Sequence, residues 1–186
     1  IKMISWVTND KLICYKRQTI DHGSKSSGSQ LHSNSQKETV RNVHRNGILH
    51  STTVPAKLSA GQRMDAVLLT AKILNTLDYV GVMGVELFVT NGGLVVNEIA
   101  PRVHNSGHWT QNGCAVDQFE QHIRAVAGWP LGDGTRHSDV VMENLIGEDV
   151  LGAEKLAKEP HTALHLYGKT DVKPGRKMGH VTILKD

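Results

Sequence analysis

Aromatic residues are scarce: three Trp, three Tyr and two Phe make up 4% of the 186 residues. A core built from this chain is therefore expected to be aliphatic. Cysteine is nearly absent. Cys14 and Cys114 lie far apart and match no metal or redox spacing, so a reduced, cytoplasmic setting is expected. No run of 18 apolar residues occurs, so no helix is expected to span a membrane. The opening "IKMISWVTNDK" has no continuous apolar stretch and is not expected to be a signal peptide. It also has no Met at position 1, as expected of a fragment. Net charge is only +3, with no dense basic stripe. That hints at anionic small ligands and excludes nucleic acid as an expected partner.

What remains is ordinary for a globular domain: 39% hydrophobic and 21% charged residues. Residues 3–8 and 11–15 read as a hairpin turning at "NDK". Residues 16–39 are polar and Ser-rich, and read as a disordered or atypical insert. "ILHSTTV" is β-branched and strand-like. Ser59 can N-cap a helix reaching about Leu77, with Val67, Ala71, Leu74 and Leu77 on one stripe. "YVGVMGVELFVT" and "LVVNEIA" are strands joined by "NGG". Residues 116–128 form an amphipathic helix ending at Gly128, with Phe119, Ile123 and Val126 expected inward. "SDVVMENLIG", "ALHLYG" and "GHVTILKD" are strand-like. The expected class is mixed α and β with much antiparallel pairing.

The "NGG" hairpin carries the first chemistry. With Asn91, Gly92 and Gly93 as a three-residue turn, Glu86 falls opposite Glu98. Opposed side chains sit roughly 5 Å apart at Cβ. Two carboxylates there imply that one is protonated or that a hard cation lies between them. A slip of one residue, or one glutamate facing solvent, would separate them. Asn97 is expected to face away from Glu98 in a regular strand.

The loop that follows is "APRVHNSGHWTQNG". Arg102 offers a guanidinium fork for an anion. His104 can exchange protons near neutral pH. Asn105 and Ser106 offer hydrogen bonds, and Gly107 permits close approach of the backbone. Trp109 reads as a packing anchor. A metal carboxylate, then Arg, then His within six residues suggests a reaction centre beside a metal-bound polyphosphate. Near the C-terminus, "YGKTDVKPGRKMGH" gathers Lys169, Lys173, Arg176 and Lys177, either as a solvated basic turn or as a phosphate-monoester site.

"RNVHRNGILHSTTVPA", "YVGVMGVELFVTNGGLVVNEIAPRVHNSGHWTQNG" and "KPGRKMGHV" closely resemble the 5-(carboxyamino)imidazole ribonucleotide synthase family, ATP-grasp enzymes of purine biosynthesis. The resemblance covers residues 41–186, with a weaker echo in 1–15. It implies an α+β fold: an ATP-grasp C-terminal half with a mostly antiparallel sheet flanked by helices, plus a small β-rich C-terminal piece. It implies carboxylation of 5-aminoimidazole ribonucleotide with ATP and bicarbonate through carboxyphosphate. Glu86 and Glu98 would be Mg²⁺ ligands, with Mn²⁺ as a substitute. His44, Asn97 and Glu98 would contact the nucleotide. Arg102, His104 and Asn105 would serve bicarbonate and the acceptor amine. Lys169, Arg176 and Lys177 would grip the ribonucleotide phosphate. A homodimer is implied, with a mutase partner, fused or separate.

The sequence departs from this pattern in two places. It has no glycine-rich phosphate lid or lysine pair before residue 41, and residues 16–39 match nothing in the family. The expected organisation is a partial ATP-grasp strand pair at 1–15, the insert at 16–39, an ATP-grasp subdomain at 40–130 and a C-terminal domain at 131–186. Two other readings stand beside the ligase: a catalytically incomplete module that only binds metal and ribonucleotide phosphate, and a different ATP-grasp carboxylate ligase.

Overall fold

A computed structural model describes residues 9–16 and 37–185, with side chains from residue 38 onward. The strands are β1 (Asn9–Lys16), β2 (Lys37–Arg45), β3 (Ile48–Val54), β4 (Gly81–Thr90), β5 (Gly93–Ala100), β6 (Asp139–Ile146), β7 (Thr162–Leu166) and β8 (Lys177–Lys185). The helices are α1 (Ala60–Thr76), α2 (Thr110–Gly113), α3 (Gln118–Val126) and α4 (Ala153–Leu156). The eight strands form one sheet in the order β5-β4-β1-β2-β3-β6-β8-β7. Every pairing is antiparallel. The α+β expectation holds, and the C-terminal strands continue the same sheet through the β3–β6 pairing.

The predicted turn at "NDK" is overturned. Asn9, Asp10 and Lys11 are strand residues paired to β2 on one side and β4 on the other. Two flanking ladders outweigh a local preference of Asn and Asp for turns. The first arm of that hairpin, residues 3–8, lies outside the described residues, as do residues 17–36. Strand β2 begins at Lys37, so the last three residues assigned to the insert belong to the sheet. Asn46 and Gly47 join β2 to β3 with φ of 50° and 75°, the left-handed pair that a two-residue hairpin turn requires.

Strand β4 is buried along Gly81–Leu87 because both of its faces are covered. Met83, Val85 and Leu87 pack with Ala66 and Leu74 of α1. The alternate residues Val82, Gly84 and Glu86 point to the opposite face, where Val82 packs with Val103 and Leu131. Helix α1 starts at the predicted cap: Ser59 Oγ accepts from Gln62 N, and Gln62 Oε1 accepts from Ser59 N. Its buried residues are Ala66, Thr70 and Leu74. The predicted stripe is thus rotated. Leu74 is right, Val67 and Ala71 are half-buried, and Leu77 is exposed as the C-cap.

Helix α3 inverts its prediction. Gln118, Gln121 and Ala125 are buried, while Phe119, Ile123 and Val126 are 38%, 59% and 54% exposed. The buried amides have partners waiting, as described below, so hydrogen bonding rather than hydrophobicity orients this helix. A further core joins Val40, Leu49, Val54, Val140 and Met142 to Trp109 and Cys114. Trp109 is the anchor expected of it and, at 2% exposure, the largest fully buried side chain. Among the described residues the core is therefore aliphatic around one indole. Burial pushes the Cys114 thiol up to about 12, so the group is an inert filler.

Candidate active site

The β4–β5 hairpin brings the two glutamates together by a route the sequence did not show. Thr90 pairs with Gly93, so the turn is one residue shorter than predicted. Gly93 has a φ of 113°, which favours glycine. Continued without interruption, that register would set Glu86 opposite Asn97. A bulge between Glu86 and Leu87 places the extra residue on β5 and restores Glu86 opposite Glu98. The bulge also overturns the expected orientation of Asn97. Its amide Nδ2 donates to Glu86 Oε2 at 3.1 Å, on the same face as the glutamate pair.

Glu86 is 7% exposed and Glu98 is exposed. The backbone carrying His104 crosses over β4 at Gly84, where an added Cβ would sit 3.0 Å from His104 Cβ. A side chain at position 84 would press on His104 and push it outward. His104 Nε2 lies 3.9 Å from Glu86 Oε1. One ligand atom each from Glu86, Glu98 and His104 falls within 4.8 Å of the others. The donor set fits a hard divalent cation, with the carboxylates as its oxygen ligands.

The imidazole tautomer follows from its neighbours. Ser106 N–H donates to His104 Nδ1 at 3.3 Å, and Ser106 Oγ lies 2.8 Å from the same nitrogen. A backbone N–H can only donate, so Nδ1 is the acceptor and the ring hydrogen sits on Nε2. That N–H faces the glutamates and serves as a donor.

An open cavity of about 450 Å³ collects these groups. His44, Glu86, Glu98, His104 and Lys177 line it, together with Gly47, Ile48, Leu49 and Gly175. Burial, then the charges of Lys169 and Arg102, push the Lys177 ammonium below its ordinary range. The cavity thus has an anionic wall from the β4–β5 hairpin and a cationic one from the start of β8.

Other predicted residues stand off this lining. Arg102 is exposed and donates to Val103 O at 3.0 Å. Asn105 forms a reciprocal amide pair with Asn144, at 3.0 and 2.7 Å. Lys169 Nζ donates to Lys177 O at 2.5 Å and lies 5.2 Å from the Tyr167 ring centre. Arg176 Nη1 donates to Asp171 O at 3.2 Å.

Several contributors were missed by the sequence reading. Asn144 is 3% exposed and also donates to Leu49 O, tying the loop to β3. Gln118 is fully buried against the His104 backbone. His108 stacks on Phe119 and lies tilted against His180, and His180 stacks on His165. Burial pushes His108 down to about 4 and His180 down to about 3. None of these has a sequence signal, because each acts through a partner distant in the chain.

Residues 30–119 match the ATP-grasp domain family, and residues 140–186 match the phosphoribosylaminoimidazole carboxylase C-terminal domain. The N5-carboxyaminoimidazole ribonucleotide synthase of Brucella melitensis is 55% identical over 149 residues. The chain shares both matched domains with this ATP-grasp synthase family. That alignment covers 80% of this chain and 41% of the relative, so the chain spans less than half the length of the curated relatives it matches. The Thermus thermophilus N5-carboxyaminoimidazole ribonucleotide synthetase superimposes with a TM-score of 0.82 at 37% identity, over 96% of this chain and 46% of that one. The Aspergillus clavatus synthase, solved with ADP and 5-aminoimidazole ribonucleotide, gives 0.83 at 31% identity over 96% and 46%.

Proposed function

We propose that this chain carries the metal and ribonucleotide side of an ATP-grasp carbon–nitrogen ligase. The reaction is carboxylation of 5-aminoimidazole ribonucleotide with ATP and bicarbonate in purine biosynthesis, in the cytoplasm. The observation that carries this reading is the Glu86–Glu98 pair, set opposite each other by a bulge and facing His104 across an open cavity. Opposed carboxylates repel, and the bulge that sets them together supports a cation between them.

Glu86 and Glu98 would hold Mg²⁺, or Mn²⁺ in its place, and the ion would neutralise charge on the ATP phosphates. Asn97 holds Glu86 in position from the bulge. His44 and Asn97 sit on the nucleotide side. His104 presents its Nε2 hydrogen to an anionic oxygen in the gap, so its role is donor before acceptor. Arg102, one turn of loop away, balances the charge of the bicarbonate-derived group. Asn105, held by Asn144, sets the loop height above the acceptor amine. Lys177 on the cavity wall, with Lys169 at its carbonyl and Arg176 beside it, grips the ribonucleotide phosphate. The family matches at 30–119 and 140–186 support an ATP-grasp part followed by a C-terminal part, with 40–130 and 131–186 as the bounds we propose. A homodimer and a mutase that consumes the carbamate complete the reading.

The test is release of ADP by the purified chain with ATP, Mg²⁺, bicarbonate and 5-aminoimidazole ribonucleotide. Ribonucleotide-dependent release that Glu98→Ala abolishes is the expected result. If the isolated chain is silent, residues 41–186 are joined to the N-terminal half of the Brucella relative and the assay is repeated. Release that ignores the ribonucleotide, or full turnover by Glu98→Ala, overturns the assignment. Silence in both formats with Mn²⁺ still bound leaves the binding-only module as the correct reading.

A further inference from the structure

The buried face of α3 holds two glutamines that do the same chemical job at two places. Asp117 caps the helix by accepting from Phe119 N and Glu120 N. That cap sets Gln118 as the first helical residue, with no exposed surface. Its side chain takes both polar groups of the His104 backbone. Oε1 accepts from His104 N at 3.0 Å, and Nε2 donates to His104 O at 2.9 Å. The second hydrogen on Nε2 points to His108 Nδ1 at 2.9 Å. The Gln118 backbone N–H goes to Thr110 Oγ1, whose hydroxyl donates to Gly107 O. One residue therefore fixes the loop at His104, Gly107, His108 and Thr110. One turn on, Gln121 does the same to Gly132: Nε2 donates to its carbonyl at 2.8 Å, and Oε1 accepts from its N–H at 3.1 Å.

The two clasps differ in what they hold. Gly132 precedes a surface segment. His104 lies over Gly84 and reaches Glu86 with its ring. Gly84 lies against its side chain and Gln118 holds its backbone, and in that seat Nε2 lies 3.9 Å from Glu86 Oε1.

We propose that Gln118 is a positioning residue of the site: it sets the height and angle of His104 over β4, and so where the Nε2 hydrogen meets the reacting anion. This rests on the ligase reading for its catalytic meaning, and on geometry alone for the positioning. A side chain that touches no substrate can matter in this way, because a displacement of about 1 Å at a reacting group costs on the order of a hundredfold in rate.

The paired variants are Gln118→Met and Gln121→Met, which keep side-chain length and remove the two-point clasp on His104 or on Gly132; Gln118→Met also removes the bond to His108. In the metal-free chain, nuclear Overhauser contacts between the His104 side chain and the Gly84 α-protons are measured. They are expected to vanish in Gln118→Met and persist in Gln121→Met, although both proteins lose stability. In the assembled enzyme, Gln118→Met is expected to lower kcat by roughly tenfold or more, with KM for the ribonucleotide within about twofold, while Gln121→Met leaves both unchanged. If Gln118→Met does not fold, Gln118→Glu replaces it, since its carboxylate still accepts from His104 N–H and loses only the two bonds that Nε2 donates, to His104 O and His108 Nδ1. Persistence of the Gly84 contacts in the Gln118 variant overturns the proposal. So does their equal loss in Gln121→Met, or their loss with kcat unchanged. The contact measurement needs neither metal nor substrate, so it stands or falls separately from the ligase reading.

Discussion

Helices α1 and α3 cover opposite faces of strand β4, yet they are held by different forces. Helix α1 meets Met83, Val85 and Leu87 with Ala66 and Leu74, an aliphatic contact with no directional demand. Its one buried polar side chain, Thr70, satisfies itself by donating to Ala66 O at 2.8 Å. Helix α3 turns its apolar residues outward and its glutamines inward, and it grips loops by paired hydrogen bonds. Hydrophobic contact has no preferred direction, whereas a two-point amide clasp constrains both distance and angle. The structural side of the sheet is therefore packed, and the side that carries Glu86 and His104 is latched.

Three measurements sharpen this contrast. The largest effect is expected on the packed side. Leu74→Ala opens a cavity against Met83 and Val85, and urea unfolding should show a loss of about 2–5 kcal/mol. A loss under 1 kcal/mol would mean that α1 is not a core element. The next effect is pH-dependent and belongs to the latched side. His108 and His180 sit at about 4 and about 3, pushed down mainly by burial. A free imidazole titrates near 6.5, so below that value the unfolded chain takes up protons that the folded chain refuses. The resulting stability is complete above pH 6.5 and is lost as pH falls toward 4. The melting temperature should drop steadily across that window, and His180→Phe should flatten the drop. An unchanged slope would show that the buried imidazole stack does not set acid stability. The smallest effect is expected at Ile123, 59% exposed on α3. Ile123→Thr should change stability by no more than about 0.5 kcal/mol, and a loss above 1.5 kcal/mol would mean that this face is covered in solution.

Local signals in the chain carried much of the fold. The Ser59 cap with Gln62 three residues later, the continuous apolar run of β4 and the "NGG" turn all reflect interactions within a few residues, which a sequence displays directly. Errors came where a distant partner decided. "NDK" became strand because two ladders flank it. Phe119, Ile123 and Val126 faced outward because Gln118 and Gln121 had backbone groups to satisfy. For the site, the residue types were legible: two acids on a hairpin, then Arg and His on a loop, then a basic turn. The register was not. The turn proved shorter by one residue and the bulge at Asn97 compensated for it, and neither event has a sequence marker.

By itself, the sequence determined the class of fold, the cap of α1, the hairpin bearing Glu86 and Glu98, and the chemical kinds gathered in the loop after them. These depend on propensity, pattern and spacing, all local properties. Only the tertiary structure decided which groups meet. It brought Lys177 to the wall opposite the glutamates, paired Asn105 with Asn144, and seated His104 over Gly84 in the grip of Gln118. Those are contacts between segments far apart in the chain. They are set by sheet order and by the need of each buried polar group for a partner, and a linear string records neither.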